Sequence, residues 1–267
     1  MYVCTYICIL TLSSLVAVIG EQVSTPNAKV APELTTTSSS KFKLMYFDAR
    51  GAAEISRVLL KIGGIDYEDC RYSITPKSEG GFETVEYTEK KLAGVFAPNM
   101  DRVPLLSIDG EIVGQSRAIE RYISVKCGMM GRTDEERAKI DCIVENVRDI
   151  KDKWGRIRMQ GGFGTNPEKE KAIEKWFAGG DFSGWLSKLE NSLPKNGAVS
   201  DVAVGVNISY ADVSIWHLLR DYFYDHIDDV KAAEKTANCT KLTRIAQKVS
   251  KLPAVVSWLS QRPDTIF

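Results

Sequence analysis

Between Lys41 and Lys126, short apolar runs alternate with segments whose apolar residues recur every three or four positions; beyond Gly131 only the second kind remains. The run Phe42-Lys43-Leu44-Met45-Tyr46-Phe47 predicts a strand, and Ile55, Val58, Leu59 and Ile62 then fall on one helical face. Gly63-Gly64 should end that helix, because glycine takes the left-handed cap conformation without a Cβ clash. Ile65 to Tyr72 predicts a second strand, and Thr84 to Leu92 a helix. Leu105–Ile108 and Glu111–Val113 flank Asp109-Gly110, a hairpin signal. A helix starting at Ser116 would carry Ile119, Tyr122 and Ile123 on one face. The order is βαβ, then α, then ββα.

The second half reads as helices. Thr133 and Glu136 have capping-box spacing, and Ile140, Ile143, Val144, Val147, Ile150 and Trp154 continue the apolar stripe behind them. Ser209 and Asp212 repeat the box, with Ile208 and Val213 spaced as its hydrophobic staple, ahead of Val213, Trp216, Leu219 and Phe223. An α/β domain over residues 41–126 thus precedes an all-α domain over 132–267.

Residues 1–20 stand apart. Their apolar run from Ile7 to Ile19 fits a secretory signal peptide cleaved near Gly20, which would send the protein to the endomembrane lumen or outside the cell. The alternative is an uncleaved membrane anchor. Residues 21–40, rich in Thr and Ser and lacking aromatics, predict a disordered linker. In a secreted chain the sequons at Asn207 and Asn238 become glycosylation candidates, Asn238 first, because Ser209 would be consumed by its cap and Asn207 packed.

Composition narrows the chemistry. With 44% apolar and 26% charged residues the chain should pack as a globule. Lys+Arg and Asp+Glu both number 35, so there is no electrostatic footprint for nucleic acid. Two histidines leave no room for a His-rich metal site, and no metal is expected. The six cysteines form no CxxC and read as isolated small hydrophobes. Asp141, Glu145 and Asp149, four apart, share one helical face that solvation alone could explain.

The stretches KLMYFDARGAAE, RVPLLSIDG, GQSRAIERYI and SYADVSIWHLL, in that order, resemble a glutathione transferase of the tyrosine type. The nearest class is sigma, the group that includes haematopoietic prostaglandin D synthase and many invertebrate enzymes. The resemblance covers Lys41 to Phe267. It implies a thioredoxin-like N-terminal domain, a helical C-terminal domain, a homodimer, glutathione as co-substrate and small electrophilic partners. Tyr46 would be the catalytic residue, donating a hydrogen bond to the glutathione thiolate, and Arg50 would line the tripeptide site. Val103, ahead of a cis Pro104, would present its backbone to the cysteinyl unit. Gln115 and Ser116, at a helix start, would take the γ-glutamyl carboxylate. Tyr87, Lys91 and Arg102 would serve the glycine carboxylate, and Asp149 would reach the partner subunit's glutathione.

The chemistry behind this is simple. A free thiol with a pKa of about 8.5 is mostly protonated at neutral pH, and a hydrogen bond from a neutral donor favours the thiolate. The absence of Ser and Cys from Asp48 to Gly51 argues against the serine- and cysteine-type classes. Two departures from the family pattern stand out. Ala52 occupies a position where many members carry a second arginine, with Arg102 or Arg156 as substitutes. Arg148 replaces a family acid, which speaks against metal stimulation. The implied activity is conjugation of glutathione to electrophiles, with hydroperoxide reduction or prostaglandin isomerisation as extensions. The alternative is a non-catalytic binding or structural protein of S-crystallin type. The second substrate would sit after Phe47, around Trp154 to Met159, and against the C-terminal helices.

Overall fold

The computed structural model describes residues 41–77, 81–160, 166–195 and 201–265. The expected signal segment and linker, residues 1–40, lie outside the described residues.

In chain order the first domain contains β1 (Phe42–Phe47), α1 (Glu54–Ile62), β2 (Tyr67–Tyr72), β3 (Thr75–Pro76), β4 (Phe82–Glu83), α2 (Val85–Leu92), β5 (Leu105–Ile108), β6 (Glu111–Gly114) and α3 (Ser116–Lys126). The main sheet runs β2-β1-β5-β6. β1 is parallel to β2 and antiparallel to β5, as the thioredoxin-like reading requires. β1 is central because both its faces are apolar: Leu44 and Met45, which point to opposite sides, are both buried. The β5–β6 hairpin turns at Asp109-Gly110, both with positive φ, 53° and 98°. The small β3–β4 pair was not foreseen. β2 starts at Tyr67 rather than Ile65, because the Ile65 N–H is spent on the Leu60 carbonyl at 3.0 Å. That bond closes α1, and it is Gly64, not Gly63, that turns left-handed, with φ 63° against −74°.

The second domain contains α4 (Asp134–Arg158), α5 (Pro167–Phe177), α6 (Asp181–Ser192), α7 (Tyr210–Arg220), α8 (Ile227–Thr236), α9 (Thr240–Ser250) and α10 (Pro253–Gln261). Every residue of α7 from Tyr210 to Leu219 is buried, so it forms the axis of the domain, packed by α4 and α9 and touching α1 and α3. Its start is a complete capping box: Asp212 accepts the Ser209 N–H at 2.8 Å and Ser209 caps in return. The box at α4 is only half formed. Thr133 accepts the Glu136 N–H at 3.2 Å, but Glu136 turns to the Arg132 N–H instead. Phe223 lies beyond the end of α7, in an aromatic cluster with Trp154, Phe177 and Phe182.

A buried polar chain ties the domains together. Glu54 on α1, fully buried, accepts from Trp258 Nε1 and from Arg262 Nη1, each at 2.8 Å. The same guanidinium reaches Asp221 at 2.7 Å, just past α7. A carboxylate so buried stays only where cations and donors surround it.

Cys70, Cys127, Cys142 and Cys239 are free, but only Cys239 is buried as a packed small hydrophobe and Cys142 is exposed; Cys4 and Cys8 lie outside the described residues. Asn207 is exposed, correcting its expected packing, although the Ser209 hydroxyl is indeed held by Asp212. Among the described residues no helix is long and apolar enough to cross a membrane.

Candidate active site

β1 delivers Tyr46 to the mouth of a cavity of 710 Å³ between the two domains. The chain leaves the strand, turns at Asp48–Arg50 and doubles back through a 3-10 turn at Gly51–Ala53, so that the Ala52 N–H donates to Tyr46 Oη at 3.1 Å. With one lone pair so engaged, the hydroxyl hydrogen is free to donate outward. Gly51 makes this possible. Its φ is 41°, and a Cβ there would lie 2.6 Å from Tyr46 Oη, closer than carbon and oxygen can approach.

The turn is anchored by a residue that sequence reasoning passed over. Arg57 is fully buried on α1 and donates to the Ala49 carbonyl at 2.6 Å, to Glu54, and to Asp69 on β2 at 3.2 Å. Arg71 bridges Asp69 and Asp48, closing the same turn from β2. The signal was present: an arginine three residues after Glu54, between apolar positions of the same stripe.

Gln115 and Ser116 line the cavity with Tyr46. Ser116 is the first residue of α3 and Gln115 precedes it with φ 66°; no side chain caps the helix. Ser116 does not cap α3, and the helix start at the cavity keeps its N–H groups unshared by side-chain caps. The Val103-Pro104 peptide is cis, as the resemblance implied. Asn99, also unforeseen, braces it: its Nδ2 donates to the Arg102 carbonyl at 3.0 Å and to the Pro104 carbonyl at 3.2 Å.

Other nominated residues lie elsewhere. Tyr87 stacks on Phe96 and spends its hydroxyl on the Asp101 carbonyl at 2.8 Å, away from the cavity lining. Lys91 and Arg102 are exposed and do not line it. Arg50 reaches across to the second domain, its guanidinium 3.8 Å from the Tyr224 ring centre. Asp149 is exposed on α4, whereas its stripe neighbours Asp141 and Glu145 pair with Arg121 and Arg117 of α3. The acidic stripe is thus only partly a solvated face. Among the described residues no group of three or more His, Cys, Asp or Glu is placed to hold a metal.

Neither Arg102 nor Arg156 reaches the cavity that Ala52 lines. The cations that do are Arg117, Arg148, Lys151 and Arg158. Of the stretch from Trp154 to Met159 expected in the second-substrate pocket, Arg158 lines the cavity but Trp154 is buried in the aromatic cluster; Val144, Val147 and Lys151 are among the other α4 residues of the wall. Lys151 Nζ lies 2.8 Å from His217 Nδ1 on α7. Burial holds His217 well below its usual range, with the Lys151 cation acting in the same direction, so the ring is neutral and accepts the lysine proton at Nδ1. Burial also lowers Lys151 to about 8, against the pull of Glu120 and Asp221. Glu120 on α3, raised to about 7 by burial, accepts the Tyr210 hydroxyl. Three titratable groups on the inner faces of three helices form one cluster on the cavity wall. Each sits on an apolar stripe, a pattern the sequence displays but periodicity counting treats as noise.

Comparison with known families and structures agrees with this geometry. Residues 42–125 match the glutathione S-transferase N-terminal domain and residues 148–262 its C-terminal domain. Glutathione S-transferase 3 of Caenorhabditis elegans is 29% identical over 85% of this chain and 99% of its own length. The hematopoietic prostaglandin D synthase of Gallus gallus is 28% identical over 84% of this chain and 98% of its own. The crystal structure of a monomeric glutathione S-transferase from Necator americanus superposes with a TM-score of 0.64 at 26% identity, covering 85% of this chain and 100% of that one. With both domains matched in family order across the fold described above, the chain belongs to the glutathione S-transferase family.

Proposed function

We infer that this glutathione transferase binds the tripeptide along Val103-Pro104 and the start of α3, with its sulfur at the Tyr46 hydroxyl, and adds the thiolate to electrophiles. One observation carries the reading: Tyr46 lines the same cavity as Gln115 and Ser116, and its Oη accepts the Ala52 N–H at 3.1 Å, which leaves its own proton available to donate. The hydroxyl would stabilise the thiolate by hydrogen bonding, and the α3 start would hold a carboxylate. Turnover of 1-chloro-2,4-dinitrobenzene with glutathione, above the uncatalysed rate, tests it; absence of turnover would return the protein to the non-catalytic alternative, which its relatives' names do not favour.

The sigma-like class is supported by the avian prostaglandin synthase among its relatives, and isomerase activity on a prostaglandin endoperoxide is the matching extension. The pairing of Tyr87 with Asp101 leaves Lys91 and Arg102, both exposed and outside the cavity lining, as the expected cations for the glycine carboxylate. A homodimer would give the exposed Asp149 its role toward the partner's glutathione. Size-exclusion chromatography should show a mass near twice 29.7 kDa less any cleaved leader. A monomer, the state named for the hookworm structure, would leave Asp149 without that role. The proposed secretion predicts that the protein recovered from a eukaryotic host's medium lacks residues 1–20 and carries glycan at Asn238. An intact N-terminus in a membrane fraction would favour the anchor instead.

A further inference from the structure

We propose that the groove between α8 and α9, on the second domain, binds a sulfated polysaccharide. The inference stands apart from the transferase reading; it takes from the proposed secretion only the setting in which such a chain is met.

Charge is unevenly placed in a chain whose cations and anions balance at 35 each. From Lys231 to Lys251 the cations are Lys231, Lys235, Lys241, Arg244, Lys248 and Lys251, against a single acid, Glu234. That acid is spent inside the fold: its oxygens accept from Arg220 at 2.8 and 3.0 Å, and one also from the Thr243 hydroxyl at 2.9 Å. Lys231 and Lys235 share a face of α8, and Arg244, Lys248 and, at the helix end, Lys251 share a face of α9. Lys231, Lys235 and Arg244 line one open cavity of 620 Å³, together with Asn238, Thr240 and Gln247. Lys235, Arg244, Lys248 and Lys251 are exposed, and none pairs with a carboxylate among the described residues. Lys231 keeps only a surface pair with Asp228 at 2.9 Å, and Lys241 gives its ammonium to the Pro194 carbonyl. Lys231 with Lys235, and Arg244 with Lys248, are like charges four apart on a helix. Such pairs cost stability, and a bound anion relieves them.

The groove's chemistry selects the partner. It calls for a row of anions, not one: from Arg244 to Lys251 the cations advance about 10 Å along α9, with Lys235 on the α8 side of the cavity. Arg244 can grip a sulfate with two N–H groups, and the lysines supply point charges. The cavity lining holds no aromatic ring on which a nucleobase could stack and no large apolar side chain to enter a bilayer. The sequon residue Asn238 stands just before α9. Lys248 and Lys251 lie about two and three turns beyond that helix start, so a glycan on Asn238 leaves the row open. The groove shares no lining residue with the Tyr46 cavity.

The test is surface plasmon resonance of the protein purified from a eukaryotic host, over immobilised heparin. Fully desulfated heparin, vesicles containing phosphatidylserine and a DNA duplex are the other surfaces. Heparin should bind most tightly, its Kd should rise about tenfold or more between about 50 and 200 mM salt, and the desulfated chain should not bind. The triple variant Lys235→Gln, Arg244→Gln, Lys248→Gln should weaken heparin binding at least about tenfold more than a control of equal charge change, Lys126→Gln, Lys139→Gln, Lys153→Gln. All six positions are exposed, so both triples should keep the native melting temperature. Equal losses in the two triples, or retained binding to the desulfated chain, overturn the proposal. So does tighter binding to the vesicles or to the duplex, which would give the groove a membrane or nucleic-acid partner instead. A protein that is not exported overturns the polysaccharide as partner even where heparin binds. None of these results touches the transferase reading, which Tyr46 carries.

Discussion

Tyr46→Phe is expected to lower kcat/KM for glutathione conjugation about 25-fold at pH 7. The figure follows from thiol ionisation: a free thiol at about 8.5 is about 3% ionised at pH 7, and one lowered by two units is about 76% ionised. Such a shift requires only about 2.7 kcal/mol, the scale of one good hydrogen bond to a charged group. The ring is half-buried against Phe47, so phenylalanine should fit without disturbing β1. The signature lies in the pH profile. The acid limb of kcat/KM should move up by about two units, and the deficit should shrink as pH passes about 8.5, where free glutathione ionises unaided. A variant with native rates at pH 7, or with a deficit that does not shrink at high pH, would show that the hydroxyl does not act on the thiol.

The second large effect is on folding. Asp212→Ala should destabilise the protein by about 3–5 kcal/mol, because it leaves buried donors without partners. The carboxylate accepts the Ala203 N–H at 2.7 Å, the Ser209 N–H at 2.8 Å and the Ser209 hydroxyl at 2.5 Å, all away from solvent. It therefore joins the start of α7 to the loop before it, and α7 is the axis on which α4, α9 and α1 pack. For a chain of this size the loss corresponds to a drop of about 6–20 °C in Tm. Asp212→Asn, which keeps one acceptor oxygen, should lose roughly half as much. Thermal unfolding followed by circular dichroism measures both. A fall below about 1 kcal/mol for the alanine variant would mean the helix start is held by packing alone.

The sequence marked candidate positions where their local structure is simple, and of these Tyr46, Gln115 and Ser116 line the cavity whereas Val103 and Pro104 do not. Tyr46, the cis Val103-Pro104 and Gln115-Ser116 occupy strand ends and helix starts, positions that a few neighbouring residues define. Arg57 and Asn99 were missed because their work is to satisfy carbonyls of turns whose shape no short motif announces. Tyr87 and Lys91 both lie on α2, but only the three-dimensional path shows that Tyr87 packs on Phe96 and that Arg102, beyond the 3-10 turn at Ala97–Asn99, stays outside the cavity lining. Trp154 was placed in the pocket by its position along α4, but the helix turns that face into the aromatic cluster and offers Lys151 to the cavity.

The amino-acid sequence by itself determined the order of elements, the change from α/β to all-α after Lys126, the α7 capping box and the tyrosine at the end of β1. Period, turn chemistry and capping act over a few residues, so a linear reading captures them. Only the tertiary structure decided which side chains share the cavity. Glu120, Lys151, Ser214 and His217 lie on three helices, and nothing in their local sequence distinguishes a polar residue facing a cavity from one buried in error. Their meeting depends on how α3, α4 and α7 pack against one another. That packing is set by the summed contacts of a whole core, in which no single residue announces its neighbours.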